Sequence, residues 1–176
     1  MMSRKQASSK KSVLGAALDF LSRRRLSASQ LAGRLEAKGY SAEENAEALR
    51  KLEEWKYIDD RQYALSYIKS KETRFSRTRI CIELQKAGLD DRMISCVMDE
   101  YFPEQQEVEN CLLLGRKMFE QEYRKYQKKS LNDQNRSIPP KELYLRKKVG
   151  DKLLAKGYQL DIVKKVLGEI IIFDNL

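Results

Sequence analysis

"LEAKGY", residues 35–40, returns almost unchanged as "LLAKGY" at residues 153–158. Aligning the chain on the glycine of that phrase brings out a third copy, "LQKAGL", residues 84–89. In each copy a leucine stands five positions before the residue that follows the glycine: Leu35, Leu84 and Leu153. Nine before lie Leu31, Ile80 and Val149, and fourteen before lie Leu26, Phe75 and Tyr144. Nine after lie Leu49, Met98 and Leu167. An internal repeat of this kind marks one supersecondary unit used several times.

The phrase reads as a helix ending. A glycine just past the last turn adopts a left-handed conformation without the steric cost of a Cβ, which lets the orphan carbonyls find donors. The contact that accompanies such an ending joins the residue after the glycine to one five positions earlier. That pairs Tyr40 with Leu35, Leu89 with Leu84 and Tyr158 with Leu153.

Helix starts are as legible. Ser27 with Gln30, and Ser41 with Glu43 and Glu44, read as N-caps with capping-box partners, and Ser76 and Asp90 as further N-caps. Apolar residues then recur at the helical period, as in Leu14, Ala17, Leu18, Leu21 and Val163, Val166, Leu167, Ile170. No strand pattern stands out. The expected map is nine helices, at 12–25, 27–38, 41–55, 60–73, 76–87, 90–102, 104–129, 139–156 and 160–172. The fold class is therefore all-α: three tandem three-helix, helix-turn-helix-like repeats in an elongated array, since each unit is too small to bury much alone. The expected divisions are a basic N-terminal tail at 1–11, repeats at 12–58 and 59–102, and a third at 103–176. The third carries a polar loop near 130–138, in "KSLNDQNRSIPP". The apolar ending "EIIIFDNL" is expected to dock Ile170, Ile171 and Phe173 on that last repeat.

Composition narrows the function. Histidine is absent, which removes Ser-His-Asp and Cys-His catalysis and the usual zinc sites. Cys81, Cys96 and Cys111 match no common metal spacing and read as small core residues. No phosphate-binding glycine loop or dinucleotide fingerprint is present. Asp59-Asp60 is the most conspicuous carboxylate pair; a helix N-cap explains it better than general acid or metal chemistry. The expectation is no enzyme, no cofactor and no metal. With no apolar run of membrane length and no signal-peptide core, a cytoplasmic protein is expected.

Charge is the positive signal. The net charge is +9, concentrated in two zones: residues 1–25 sum to +6 and residues 121–152 to +6, while 26–120 sum to −3. Such zoning suggests contact with a polyanion at particular places. The candidate residues are Arg23, Arg24 and Arg25 at the end of the first helix, Arg74, Arg77 and Arg79 about the start of 76–87, and Arg146, Lys147, Lys148 and Lys152 in 139–156. Cations so placed could grip a phosphate backbone without reading bases. Trp55, Tyr57, Tyr63 and Tyr67 have helix-face spacing and read as packing residues rather than as a base-stacking platform.

The stretches "ALDFLSRRRLSASQLAGRLEAKGY", "LRKLEEWKYIDDRQYALSYI" and "SRTRICIELQKAGL" resemble the RecX family of bacterial recombination regulators, most sharply over 16–90. The resemblance implies tandem three-helix repeats that bind RecA on single-stranded DNA; a monomer is expected. It implies inhibition of RecA's ATPase, recombinase and coprotease activities, with no catalysis of its own. Direct DNA contact is compatible with it. The competing reading from the charges alone is a stand-alone, sequence-indifferent DNA-binding helical module.

Overall fold

In a computed structural model, residues 11–132 and 139–174 are described, without the side chains of residues 132 and 172–174. Among them are nine α-helices and no strand: α1 Val13–Leu21, α2 Ala28–Ala37, α3 Ala42–Glu54, α4 Asp60–Lys71, α5 Arg77–Lys86, α6 Asp91–Tyr101, α7 Glu104–Asn132, α8 Lys141–Ala155 and α9 Leu160–Asp174. Each expected helix is present. The first ends sooner than its sequence suggests, with Ser22 as C-cap, so Arg23–Arg25 lie beyond α1 rather than in its last turn. The tail 1–10 and most of the polar loop, 133–138, fall outside the described residues.

The caps form as their chemistry dictates. Ser27 Oγ accepts from Gln30 N at 3.1 Å. Ser41 and Glu44 close a full capping box. Ser76 Oγ accepts from Arg79 N at 3.1 Å, and Asp90 Oδ1 from Arg92 N and Met93 N. A cap of this kind contributes about 0.5–2 kcal/mol. The aspartate pair divides its work between two helices. Asp59 Oδ1 accepts from Gln62 N at the start of α4, whereas Asp60 Oδ1 accepts from Ala28 N in the first turn of α2, at 2.9 Å each.

The repeated phrase ends α2 and α8 with matching bonds. Tyr40 N donates to Leu35 O at 3.2 Å and Gly39 N to Glu36 O at 2.7 Å. Tyr158 N donates to Leu153 O at 3.3 Å and Gly157 N to Leu154 O at 2.8 Å. These are the two bonds of a Schellman motif. The glycines hold φ of +81° and +91°.

By its contacts the chain divides into two compact units. The first holds the described residues up to Tyr63 together with Ala87–Leu89. Here α1, α2 and α3 pack on one another around Leu26, Leu31, Leu35, Leu52 and Ile58. The glycine ending at 87–89 seats on this unit, where the buried Ser27 hydroxyl donates to Ala87 O at 2.6 Å. A Cβ at Gly88 would overlap Ser29.

The second unit holds Ala64–Lys86 and the described residues from Asp90 on. There α5 packs on α6, and α7, α8 and α9 pack mutually around Cys111, Leu145, Val149, Leu153, Val166 and Ile170. Ile170 and Ile171 are buried in this core as expected; the Phe173 side chain lies outside the described residues. The ending at 156–158 repeats the docking seen in the first unit. Ser76 N donates to Lys156 O at 3.2 Å, and Gly157 faces Ser76. At Gly88 and Gly157 the phrase both stops a helix and presents a side-chain-free surface to a serine at another helix start, whereas Gly39 meets no neighbour.

Candidate functional site

In the first unit the turn after α1 brings Arg25 to a groove of about 730 Å³ whose walls include Leu18, Lys56, Tyr57 and Tyr63. Arg23 and Arg24 are exposed in the same turn. Two aromatic residues that read as packing residues are instead exposed: Trp55 at 54% and Tyr57 at 61%. They escape burial because α3 ends at Glu54 and the chain reverses there through a Schellman turn. Lys56 N donates to Glu53 O at 3.0 Å and Tyr57 N to Leu52 O at 2.9 Å. The residue at the left-handed position is not glycine but Lys56, with φ +60°, the one positive-φ non-glycine among the described residues. A side chain held in that region costs roughly 1–2 kcal/mol, and strain of this kind clusters at functional positions.

In the second unit the structure separates the candidate cations. Arg74 lines a groove of about 590 Å³ with Lys117 and Lys156. Arg79 borders a smaller hollow of about 210 Å³ with Lys71, Phe75 and Glu83, and its guanidinium lies 3.6 Å from that carboxylate. Arg77 serves the fold. Its guanidinium, 17% exposed, donates to the Met98 and Phe102 carbonyls at the end of α6 and pairs with Asp99 at 2.7 Å. Its backbone N–H donates to Glu107 Oε1 at 2.8 Å. Burial pushes the Glu107 carboxyl above its ordinary range, and this N–H, then the Arg77 charge, pull it back. Burial also carries the neighbouring Cys111 thiol up to about 12.

On α8, Arg146 is paired along its own helix with Glu142 at 2.9 Å, and Lys147 and Lys148 are exposed. Lys152 is drawn inward, its Nζ 2.6 Å from Glu122 Oε1, a side chain only 4% exposed. Lys125 holds the same oxygen at 2.7 Å. Hydrogen bonds from Lys125 and then Lys152 hold the Glu122 carboxyl below its ordinary range, outweighing its burial. Lys152 is thus the counter-charge of a buried carboxylate.

Each unit holds candidate cations of its own, and they differ in setting. In the first unit Arg25 lines the aromatic groove and Arg23 and Arg24 are exposed in the same turn; in the second unit Arg74 lines a groove, and Arg77 and Lys152 are engaged internally. Sequence reading missed Lys56, Lys117 and Lys156. Lys56 left a signal, since it ends a helix at the position where the endings of α2, α5 and α8 carry glycine. Among the described residues no group of three or more acidic, cysteine or histidine side chains could hold a metal ion, and no helix is long and apolar enough to cross a membrane. The cysteines are free and differ in setting: Cys111 is buried, Cys81 half-buried and Cys96 exposed, so the core reading holds fully for Cys111 alone.

No family model matches the chain. Among curated proteins, the regulatory protein RecX of Caldanaerobacter subterraneus is 38% identical over 94 residues, 53% of this chain and 48% of that protein. The regulatory protein RecX of Bacillus thuringiensis is 30% identical over 127 residues, 71% of this chain and 41% of that protein. The matched segments thus span less than half the length of these relatives. Among solved structures, the crystal structure of RecX from Lactobacillus salivarius superposes with a TM-score of 0.69 at 22% identity, covering 91% of this chain and 95% of that one. A second crystal structure, of a regulatory protein RecX, gives a TM-score of 0.68 at 22% identity over 88% of this chain and 70% of that one. The chain is similar in sequence to regulatory proteins named RecX and has the fold of the RecX crystal structures.

Proposed function

We propose that this chain binds the filament that RecA forms on single-stranded DNA and inhibits RecA's ATPase, recombinase and coprotease activities, acting as a monomer in the cytoplasm without chemistry of its own. The name shared by its relatives supports this reading, as does a helical body in which cations gather at separate grooves. Repeats at 12–58, 59–102 and 103–176 would each offer a helical surface to the filament.

The observation that carries the reading to particular residues is the groove of the first unit. Lys56 keeps a strained φ there, beside Arg25 and the exposed Tyr57. Cations with exposed tryptophan and tyrosine suit a surface that grips a nucleoprotein, because Trp, Tyr and Arg supply most of the anchoring energy at interfaces. Arg23, Arg24, Arg74, Lys147 and Lys148 are further exposed candidates, Arg79 and Arg146 are exposed but paired along their own helices, and Arg77 and Lys152 act through the fold.

Competition binding tests the proposal. Labelled protein is offered RecA-coated single-stranded DNA against bare DNA of equal length. Preference for the coated DNA, lost on Tyr57→Ala and Lys56→Glu, is expected. Equal or tighter binding to bare DNA, abolished by neutralising Arg23–Arg25 and falling steeply with salt, would instead make the chain a stand-alone DNA-binding module. That second reading rests on the exposure of those three arginines.

A further inference from the structure

The longest helix has two different faces. Cys111, Gly115, Phe119 and Glu122 turn inward, and Gly115 is in such close contact that a Cβ would come within 2.9 Å of Ile170 Cδ1. A second face of α7 carries Leu113, Leu114, Lys117 and Met118 into the groove that Arg74 and Lys156 complete. Its floor is tied down where Asn110 Nδ2 donates to Glu72 O at 3.1 Å. Leu113 is 65% exposed, whereas Leu114 and Met118 are partly buried against the core of this unit.

The charge of the groove is one-sided. Arg74, Lys117 and Lys156 line it, and no carboxylate does. Residues 26–120, from which Arg74 and Lys117 come, sum to −3, so two cations are concentrated here against the local trend. Several cations elsewhere in this unit lie against carboxylates, as in Arg77–Asp99, Lys86–Glu83 and Lys152–Glu122. The Lys156 ammonium lies over the Phe75 ring at 4.6 Å, which fixes the stem at the groove edge.

We propose that this groove is a docking site for an acidic protein segment carrying one or two apolar side chains, its carboxylates meeting Arg74, Lys117 and Lys156 and its apolar anchor covering Leu113 and Met118. A nucleic acid backbone fits less well. It would answer the cations but leave Leu113 against phosphate and water, and none of the lining residues is aromatic to stack a base. The inference deepens the filament-binding reading, on which it rests for the supposition that a protein partner exists.

The test uses the full chain and a fluorescein-labelled ten-residue peptide of aspartate and glutamate carrying two leucines, read by anisotropy. Controls are the same peptide with serine for leucine and a twenty-nucleotide oligothymidylate. Saturable binding is expected, weakened at least tenfold by Lys117→Glu, severalfold by Leu113→Ser, and severalfold when the peptide lacks its leucines. Both substituted positions are exposed, and unchanged circular dichroism verifies folding. Absence of peptide binding overturns the proposal, as does binding that neither variant alters. Oligothymidylate binding that alone depends on Lys117 also overturns it, in favour of a nucleic acid. Inhibition of RecA by the same variants separates the two claims. Inhibition without peptide binding sinks only the groove, whereas Lys117-dependent peptide binding without any inhibition sinks only the RecA reading.

Discussion

Replacing the two glycines that end α2 and α8 by alanine should cost different amounts, although their backbones match. Both stand in the left-handed region, at φ +81° for Gly39 and +91° for Gly157. An L side chain there costs roughly 1–2 kcal/mol. At Gly39 a new Cβ meets nothing within 4 Å, so Gly39→Ala should lose that conformational term alone. At Gly157 the Cβ would lie 2.6 Å from Ser76 Oγ and 2.9 Å from Arg79 Cβ. Neither neighbour yields easily, because Ser76 is fully buried and its Oγ holds Arg79 N at 3.1 Å. Overpacking of this kind adds about 1–3 kcal/mol. Gly157→Ala should therefore lose roughly 2–5 kcal/mol against roughly 1–2 for Gly39→Ala. In a chain of this size that corresponds to a Tm lower by about 4–20 °C against about 2–8 °C. Urea unfolding followed by far-ultraviolet circular dichroism measures the difference, with the slope checked so that midpoints can be compared. Equal losses at the two positions would refute the claim that the ending is a docking surface as well as a stop.

Three further outcomes follow from named contacts. Lys56→Gly should raise stability by about 1 kcal/mol by relieving the positive φ, while weakening retention on RecA-coated DNA; higher stability with unchanged retention would make the strain incidental. Arg77→Met should cost about 3 kcal/mol, since it strips the Met98 and Phe102 carbonyls and Asp99 of their donor, and calorimetry would detect the loss. The Glu122 carboxyl is held below its ordinary range in the folded state. Its contribution is therefore complete above the ordinary carboxylate value of about 4.3 and is lost as pH falls through the lower, folded value. Glu122→Gln should accordingly unfold with a shallower acid limb than the parent, and identical limbs would show that Lys125 and Lys152 do not act through this carboxylate.

The architecture was legible because helix starts and stops are written in single residues. Ser27, Ser41, Ser76 and Asp90 opened helices, and Gly39 and Gly157 closed them, by chemistry that depends only on near neighbours. The exposure of Trp55 and Tyr57 was not legible, since their helix-face spacing presumes a helix that continues, whereas α3 stops at Glu54. The sites were legible only as charge. Arginines that look alike in "RFSRTRI" have different fates: Arg77 caps α6, Arg74 lines a groove and Arg79 pairs along its helix. The Arg79–Glu83 pair has the i,i+4 spacing that a sequence shows, but the fates of Arg77 and Arg74 are set by residues of α6 and α7 more than twenty positions away, and no local pattern carries them. The grooves escaped notice for the same reason, because Lys117 and Lys156 join Arg74 only through the packing of α7 and α8.

The central claim is tested most directly by the ATPase of the cognate RecA on single-stranded DNA, titrated with this protein from well below one equivalent upward. Strong inhibition at substoichiometric amounts, relieved by Lys56→Glu together with Tyr57→Ala, is the predicted result. Undiminished hydrolysis at a full equivalent, with bare DNA still bound, would contradict it.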